Sequence, residues 1–211
     1  MIRRTVPQKT ISKQISLSGV GLHTGRHVNI TFKPAPADTG LVFVRDDIDG
    51  DNLINAHIKY ISNTDRGTNL DNGLFRIHTS EHVLAAITGL DIDNCFICLD
   101  GPEVPIMDGS SKFFINALEK AKIVEQNVLR EEFFPSEPIS YVCEDTGSKI
   151  SILPDDNYRV NTLVDYKTKV LGEQEASINH ISEFKNEISS ARTFSFLHEL
   201  ETLLENGLIK G

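Results

Sequence analysis

The sequence predicts an α+β protein built from two similar layers, each a sheet covered by helices in a two-layer sandwich, with the second domain incomplete. Three observations point there. Most of residues 10–47 reads as strand interrupted by turn glycines. Two helical stretches follow, at 79–89 and 112–122. From about Tyr141 the same order, strands and then helix, begins again. This recurrence of order, with little identity of residues, divides the chain at 1–126 and 127–211.

Each element has a local reason. TISKQISLSGVG, HVNITFKPA and LVFVRDD are rich in β-branched and aromatic residues, and Gly19, Gly21, Gly25 and Gly40 supply turn chemistry between them. A helix comes next: Thr79 or Ser80 caps it, Val83, Leu84 and Ile87 form its apolar face, and Gly89 stops it. NCFICLD is short and apolar, a buried strand, and GPEVPIMDGSS is a Pro/Gly loop. KFFINALEKAK forms the second helix, capped by Ser110 or Ser111. In the second half YVCED, KISILP and YRVNTLVDY are strand-like with DTG and PDDN as turns, and from about Ser182 the chain turns helical through ETLLEN. LIKG then arrives where further strands and a closing helix are due, so the second layer should leave apolar surface open.

With 39% hydrophobic and 24% charged residues among 211, the composition is that of a globular protein able to bury a core. The formal charge of −9, with lysines and arginines scattered, disfavours a nucleic-acid backbone or an anionic membrane as partner. No apolar run approaches the ~18 residues of a membrane span. MIRRTVPQKT lacks the apolar stretch of a secretory signal, and together these features predict a cytoplasmic location without a transmembrane segment. Three cysteines, an odd count, suit a reducing compartment. Cys95 and Cys98 form a CxxC, but on a strand residues three apart face opposite ways, so they read as buried thiols rather than joint ligands.

HTSEH, at 78–82, matches H-x-x-E-H, the inverted zinc-peptidase motif in which both histidines on one helix face hold the metal. That chemistry requires helix from His78 onward. Thr79 and Ser80 are cap formers, so the helix is predicted to begin after His78, and the pairing of His78 with His82 is lost. The non-catalytic alternative is a solvated helix start with an acid near the positive end of the dipole.

Four stretches in this order, GVGLHTG at 19–25, TSEHVLAAITGLDIDN at 79–94, PEVPIMDGSSKFF at 102–114 and SSARTFSF at 189–196, resemble the UDP-3-O-acyl-N-acetylglucosamine deacetylase (LpxC) family. The resemblance runs from about Ser16 to Gly211. It implies two α+β layers, each a sheet with two helices, and zinc-dependent removal of the N-acetyl group of UDP-3-O-acyl-N-acetylglucosamine, releasing acetate, in lipid A biosynthesis. Amides resist water because the carbonyl is a poor electrophile and neutral water a poor nucleophile. Zinc would address both, polarising the oxygen and lowering the pKa of bound water to about 7.

By this resemblance His82 is a Zn2+ ligand, Glu81 the general base toward water, and Thr193 a hydroxyl donor to the developing oxyanion. Without the resemblance Thr193 reads as a helix-edge threonine. Phe194 falls where the family contacts substrate, with core packing as the alternative. Tyr166 would stack on uracil with Asp165 beside it, and Lys149 would meet the diphosphate or else be a solvated strand residue. Leu22 and His23 would border the active site and acyl passage; simple bend formation by the neighbouring glycines is the competing view. Asp108 also belongs to a family motif, but a turn aspartate before glycine accounts for it.

The resemblance further implies two more ligands in a His-Lys-x-x-Asp motif and a general-acid histidine, and the sequence up to Gly211 contains neither. His180 and His198 are the only later histidines, and neither has the required setting. The expectation is that the remaining ligands lie beyond Gly211, with room for a further fused domain, and that residues 1–211 alone bind zinc poorly and lack deacetylase activity. An H-x-x-E-H zinc peptidase, or a non-catalytic relative binding UDP-sugar or acyl ligand, are the competing functions.

Overall fold

The apolar alternation of the first hundred residues folds as its period of two demands. After β1 (Ile2–Arg3) and β2 (Pro7–Ile11) come β3 (Ile15–Val20), β4 (His27–Pro34), β5 (Leu41–Arg45) and β6 (Leu53–Asn55). A small antiparallel sheet of β7 (Ile61–Asn63), β8 (Asn69–Asp71) and β9 (Arg76–Ile77) leads into helix α1 (Glu81–Gly89). Strand β10 (Cys95–Leu99) then inserts between β4 and β5, antiparallel to the first and parallel to the second, giving the order β3-β4-β10-β5-β6. The computed structural model describes residues 2–64, 66–197, 199, 205, 209 and 210.

The register explains the core. Ile97 lies opposite both Phe32 and Phe43, and Val28, Ile30 and Phe32 alternate inward along β4 while His27 and Asn29 face out. Helix α2 (Lys112–Lys120) joins α1 over this face. Phe114 meets Phe32 edge to face, with centroids 6.4 Å apart. Both rings are fully buried, each worth about 1.5–3 kcal/mol in removed apolar surface. Cys95 joins this core, whereas Cys98 lies on the opposite face near Lys33, as strand alternation predicts. Burial pushes the Cys95 thiol up to about 12.

Several local expectations are corrected. TISKQISLSGVG is two strands, because Ser12 turns to the end of the second helix: its hydroxyl donates to the carbonyl of Ala121 at 2.8 Å and its amide to that of Lys122 at 2.7 Å, with Ala121 at 3.2 Å. Strand β2 pairs instead with β11 (Ile123–Leu129), and β1 with β12 (Glu132–Phe133). Position 126 therefore falls inside β11, whose pairing to β2 reaches Leu129. Ser80 and Ser111 occupy the N-cap positions of α1 and α2, yet neither side chain caps its helix; at α2 the capping hydroxyl is that of Ser110, which accepts the amide of Lys112 at 3.3 Å. The Ser80 and Ser111 hydroxyls are taken by carbonyls elsewhere, Thr68 for Ser80 and His82 for Ser111.

The second half consists of two separate antiparallel pairs, β13 (Ile139–Val142) with β14 (Lys149–Ile152) and β15 (Val160–Asp165) with β16 (Glu173–Ile178). The last of these was not legible in the sequence, because EQEASI lacks the β-branched density of its partner. Apolar residues of both pairs face outward; Tyr141, Ile150 and Leu163 are each more than 60% exposed. The helix expected from Ser182 through ETLLEN is interrupted: Leu197, Glu199 and Glu205 are helical, but irregular chain at 191–196 separates them from a 3₁₀ turn (Ile181–Glu183) and a single α turn, α3 (Phe184–Glu187). Helix α3 stops because Ser189 back-bonds, its hydroxyl to the carbonyl of Lys185 and its amide to that of Phe184. Of the predicted ETLLEN helix all but Glu205 lies outside the described residues, as does His198. Phe184 packs on α1 over Gly89, where a Cβ would lie 2.1 Å from its ring.

Candidate active site

Helix α1 begins where the chain reverses at Thr79, whose φ of +58° is unusual for a β-branched residue. His78, just before that reversal, is extended and bridges to Glu103, with its amide donating to the carbonyl of Pro102 and its carbonyl accepting from Val104. It is not on the helix with His82, so the i,i+4 geometry of an inverted peptidase motif is absent. Burial is the main cause holding the His78 imidazole below its ordinary pKa.

Glu81 and His82 open the helix side by side, with Nε2 of His82 3.7 Å from Oε1 of Glu81. The other oxygen, Oε2, accepts the amide of Thr68 at 2.8 Å. Thr68 grips the same turn twice more, its carbonyl accepting both the amide and the hydroxyl of Ser80 at 3.0 and 2.8 Å. This clasp orients the carboxylate and leaves Oε1 turned toward the imidazole. The His82 side chain is 16% exposed and that of Glu81 35%, so both are open to a small molecule.

Two hydrogen bonds in series link Thr193, in the second half, to this helix head through the 109–111 loop. Ser111 donates to the carbonyl of His82 at 3.0 Å, and two residues earlier the Gly109 carbonyl accepts the amide of Thr193 at 2.8 Å. Thr193 thus hangs from the loop that is itself bound to α1. Arg66 pairs with Glu199 at 2.9 Å, fastening the chain after Thr193 to the loop that holds Glu81. Asp108 serves the turn: Oδ1 accepts the hydroxyl and amide of Ser110, and the hydroxyl bond leads the causes keeping its carboxyl below the usual range.

The remaining predicted residues fall into three places. Tyr166 and Phe194 meet edge to face at 5.2 Å, and Phe196 closes a triangle with them at 6.5 and 5.5 Å. Asp165 adjoins Tyr166, with its Oδ1 accepting the amide of Lys167. Lys149 lies exposed on β14, in a different sheet from the β15 strand that ends at Asp165, and the structure does not join it to the aromatic group. Leu22 and His23 sit in the tight turn at 21–25, where the amide of His23 donates to Glu103 at 2.9 Å and the carbonyl of Leu22 accepts from Lys210.

Sequence reasoning missed Glu103, Thr68, Ser111 and Phe196. Glu103 carried one signal, an acid between prolines in an otherwise apolar loop; the others act through backbone groups or packing that no residue pattern displays. For zinc the donor chemistry of His82 is suitable, but a catalytic site takes about three protein ligands. Among the described residues no three His, Cys, Asp or Glu side chains gather to hold a metal ion. The residues described here do not by themselves make a zinc site.

A sequence model of the family described as UDP-3-O-acyl N-acetylglycosamine deacetylase (LpxC) matches residues 8–211, and the chain belongs to that deacetylase family. Its relatives divide into longer and shorter proteins. A bifunctional enzyme LpxC/FabZ of Chlorobaculum tepidum is 44% identical over 98% of this chain, and one of Bacteroides thetaiotaomicron 40% over 97%; this chain spans 44% of each. The UDP-3-O-acyl-N-acetylglucosamine deacetylase of Bdellovibrio bacteriovorus is 39% identical over 97% of the chain, which spans 67% of it. The chain therefore spans less than half of the bifunctional relatives and about two thirds of this deacetylase. None of its described helices is long and apolar enough to cross a membrane.

Proposed function

We propose that this chain supplies the general base, one metal ligand and an oxyanion donor to a zinc-dependent hydrolase. That enzyme removes the N-acetyl group of UDP-3-O-acyl-N-acetylglucosamine, releasing acetate, in lipid A biosynthesis in the cytoplasm. The observation that carries this reading is the head of α1, where a carboxylate fixed by the Thr68 amide stands 3.7 Å from an accessible imidazole. Oriented this way, Glu81 takes a proton from the attacking water as it adds to the acetamide carbonyl. The tetrahedral species then collapses with the C–N bond breaking as the nitrogen takes up a proton, equivalent to the one Glu81 accepted, so that acetate and the sugar amine leave. Thr193, held by its backbone on the Gly109 loop, offers a hydroxyl before negative charge develops on the carbonyl oxygen, which is when a donor contributes most. The Tyr166, Phe194 and Phe196 group provides aromatic faces for a base, Asp165 adjoins it, and Leu22 with His23 lines the approach.

Because the described residues furnish His82 alone, residues 1–211 taken by themselves bind zinc weakly and release no acetate on this reading. The bifunctional names of two relatives support a second domain fused downstream. The test is acetate release from UDP-3-O-acyl-N-acetylglucosamine by the protein as its whole reading frame encodes it, with zinc content measured in parallel. Glu81→Gln is expected to lower kcat by about 10²- to 10⁴-fold while retaining metal. His82→Ala is expected to lose both, and His78→Ala to keep the metal. Metal loss on His78→Ala would favour the peptidase instead, and full hydrolysis after His82→Ala would end the proposal.

A further inference from the structure

Glu103 has no exposed surface, yet it carries a carboxylate. Burial alone would push its pKa up, but the donors around it outweigh that and hold it below its ordinary value. Those donors belong to two distant segments. The amides of His23 and Thr24 reach Oε1 and Oε2 at 2.9 and 2.8 Å, 80 and 79 residues away in sequence. From the other side the Thr79 hydroxyl donates to Oε1 at 3.1 Å. The turn backbone comes so close that a Cβ on Gly21 would lie 2.4 Å from Oε2.

Thr79 is the point of leverage. Its left-handed backbone costs roughly 1–2 kcal/mol and persists only where surroundings over-determine it. Those surroundings are the bridge between His78 and Glu103, the Pro102 and Val104 bonds to His78, and the hydroxyl bond to the Glu103 carboxylate. Thr79 is 2% exposed, so no water replaces the carboxylate. Two and three residues after this reversal stand Glu81 and His82. Any relaxation of Thr79 toward negative φ re-aims the first turn of α1 and moves both side chains.

We propose that Glu103 is a positioning residue that, through Thr79, sets where Glu81 and His82 stand at the head of α1 and fixes the 21–25 turn bearing Leu22 and His23. The consequence for turnover rests on the deacetylase reading; the consequence for local structure does not. The carboxylate is suited to the task because both its oxygens accept, Oε1 from His23 and Thr79 and Oε2 from Thr24; an amide keeps one accepting oxygen and an apolar side chain none.

The test compares Glu103→Gln, Thr79→Val, Thr79→Ser and the Glu103→Gln/Thr79→Val double variant. Amide hydrogen exchange is measured on this chain, and kcat and KM on the protein encoded by the whole reading frame. In Glu103→Gln, exchange at residues 23, 24, 80 and 84, whose amides are hydrogen-bonded in the 21–25 turn and at the head of α1, is expected to rise about tenfold or more while β4 and β10 keep their protection. The kcat for acetate release is expected to fall about 10- to 100-fold with KM little changed, as a small misplacement of catalytic groups produces. Thr79→Val, which keeps shape and loses the donor, should reproduce the change at 80 and 84, the double variant should add nothing there, and Thr79→Ser should behave as wild type. Unchanged exchange at 80 and 84 in Glu103→Gln, an equal rise in β4 and β10, or a Thr79→Val variant identical to wild type would each overturn the proposal. If Glu103→Gln fails to fold, Thr79→Val decides. If the wild-type enzyme releases no acetate, the deacetylase reading fails and the exchange result still stands.

Discussion

Replacing Arg130 with methionine removes a guanidinium while keeping an apolar stem, and the structure sets what is lost. Nε and Nη2 grip the two oxygens of Asp93 at 2.6 and 2.8 Å, Nη1 reaches Asp91 at 2.6 Å, and Nη2 also touches the Asp91 carbonyl at 3.3 Å. These bonds tie the end of β11 to the turn between α1 and β10. The three side chains are 17–32% exposed, so solvent screens the pairs only in part. Neither carboxylate would be left bare: Asp91 keeps the Lys9 ammonium at 2.6 Å and Asp93 the Lys9 amide at 2.7 Å. The expected loss is therefore about 2–3 kcal/mol, below the 3–5 kcal/mol seen when a fully buried pair is broken. In a chain of this length that is a Tm drop of roughly 4–12 °C. Burial raises the Asp91 carboxyl, but its bonds to Arg130 and Lys9 outweigh this and bring it below its ordinary value. Its stabilising contribution is accordingly complete above the unfolded carboxylate range and fades as pH falls through the lower folded value. Urea unfolding at neutral pH and at about pH 3 would show a gap between wild type and variant that narrows in acid. A neutral-pH gap below about 0.5 kcal/mol, as for an exposed surface pair, or a gap undiminished in acid, would refute the reasoning.

Two further outcomes follow from packing and burial. Gly89→Ala places a Cβ 2.1 Å from Cδ1 and 2.7 Å from Cγ at the root of the Phe184 ring, so overpacking of about 1–3 kcal/mol should exceed the helix-propensity gain. Chemical denaturation would show it, and combining the change with Phe184→Ala should cost less than the two separate losses summed. Under native conditions near pH 8, iodoacetamide should label Cys143 first, because the Thr146 hydroxyl leads the bonds that lower its thiol pKa. Cys95, raised to about 12 by burial, and Cys98, also raised by burial, should stay unlabelled until unfolding, as peptide mass spectrometry would report.

The longer strands of the first hundred residues, such as β3, β4, β5 and β10, were legible from alternation or a short apolar run: Val28, Ile30 and Phe32 name the inner face of β4 without reference to any partner, whereas β1 and β6 to β9, two or three residues each, carry no pattern to read. The start of α1 after His78 was legible for the same local reason, since Thr79 and Ser80 disfavour helix before them. How that start is secured was not, for the cap expected of Ser80 is replaced by a bond to Thr68, twelve residues earlier. The second half was read less well, because EQEASI has little strand propensity and is held by the β15 ladder. The helix expected from Ser182 is broken at Ser189, whose hydroxyl competes for the helix's own carbonyl, and helix recurs only from Leu197.

By itself the sequence determined which residue types are available for chemistry and on what local element each lies, because periodicity, caps and ordered motifs are properties of neighbours along the chain. Only the tertiary structure decided that His78 leaves the helix through a bridge to Glu103, that Thr193 hangs from the Gly109 loop, and that Tyr166, Phe194 and Phe196 meet while Lys149 lies on another sheet. The first two of these relations join residues up to 84 positions apart through backbone carbonyls and amides. Every residue carries such groups alike, so nothing in residue identity announces which of them will pair.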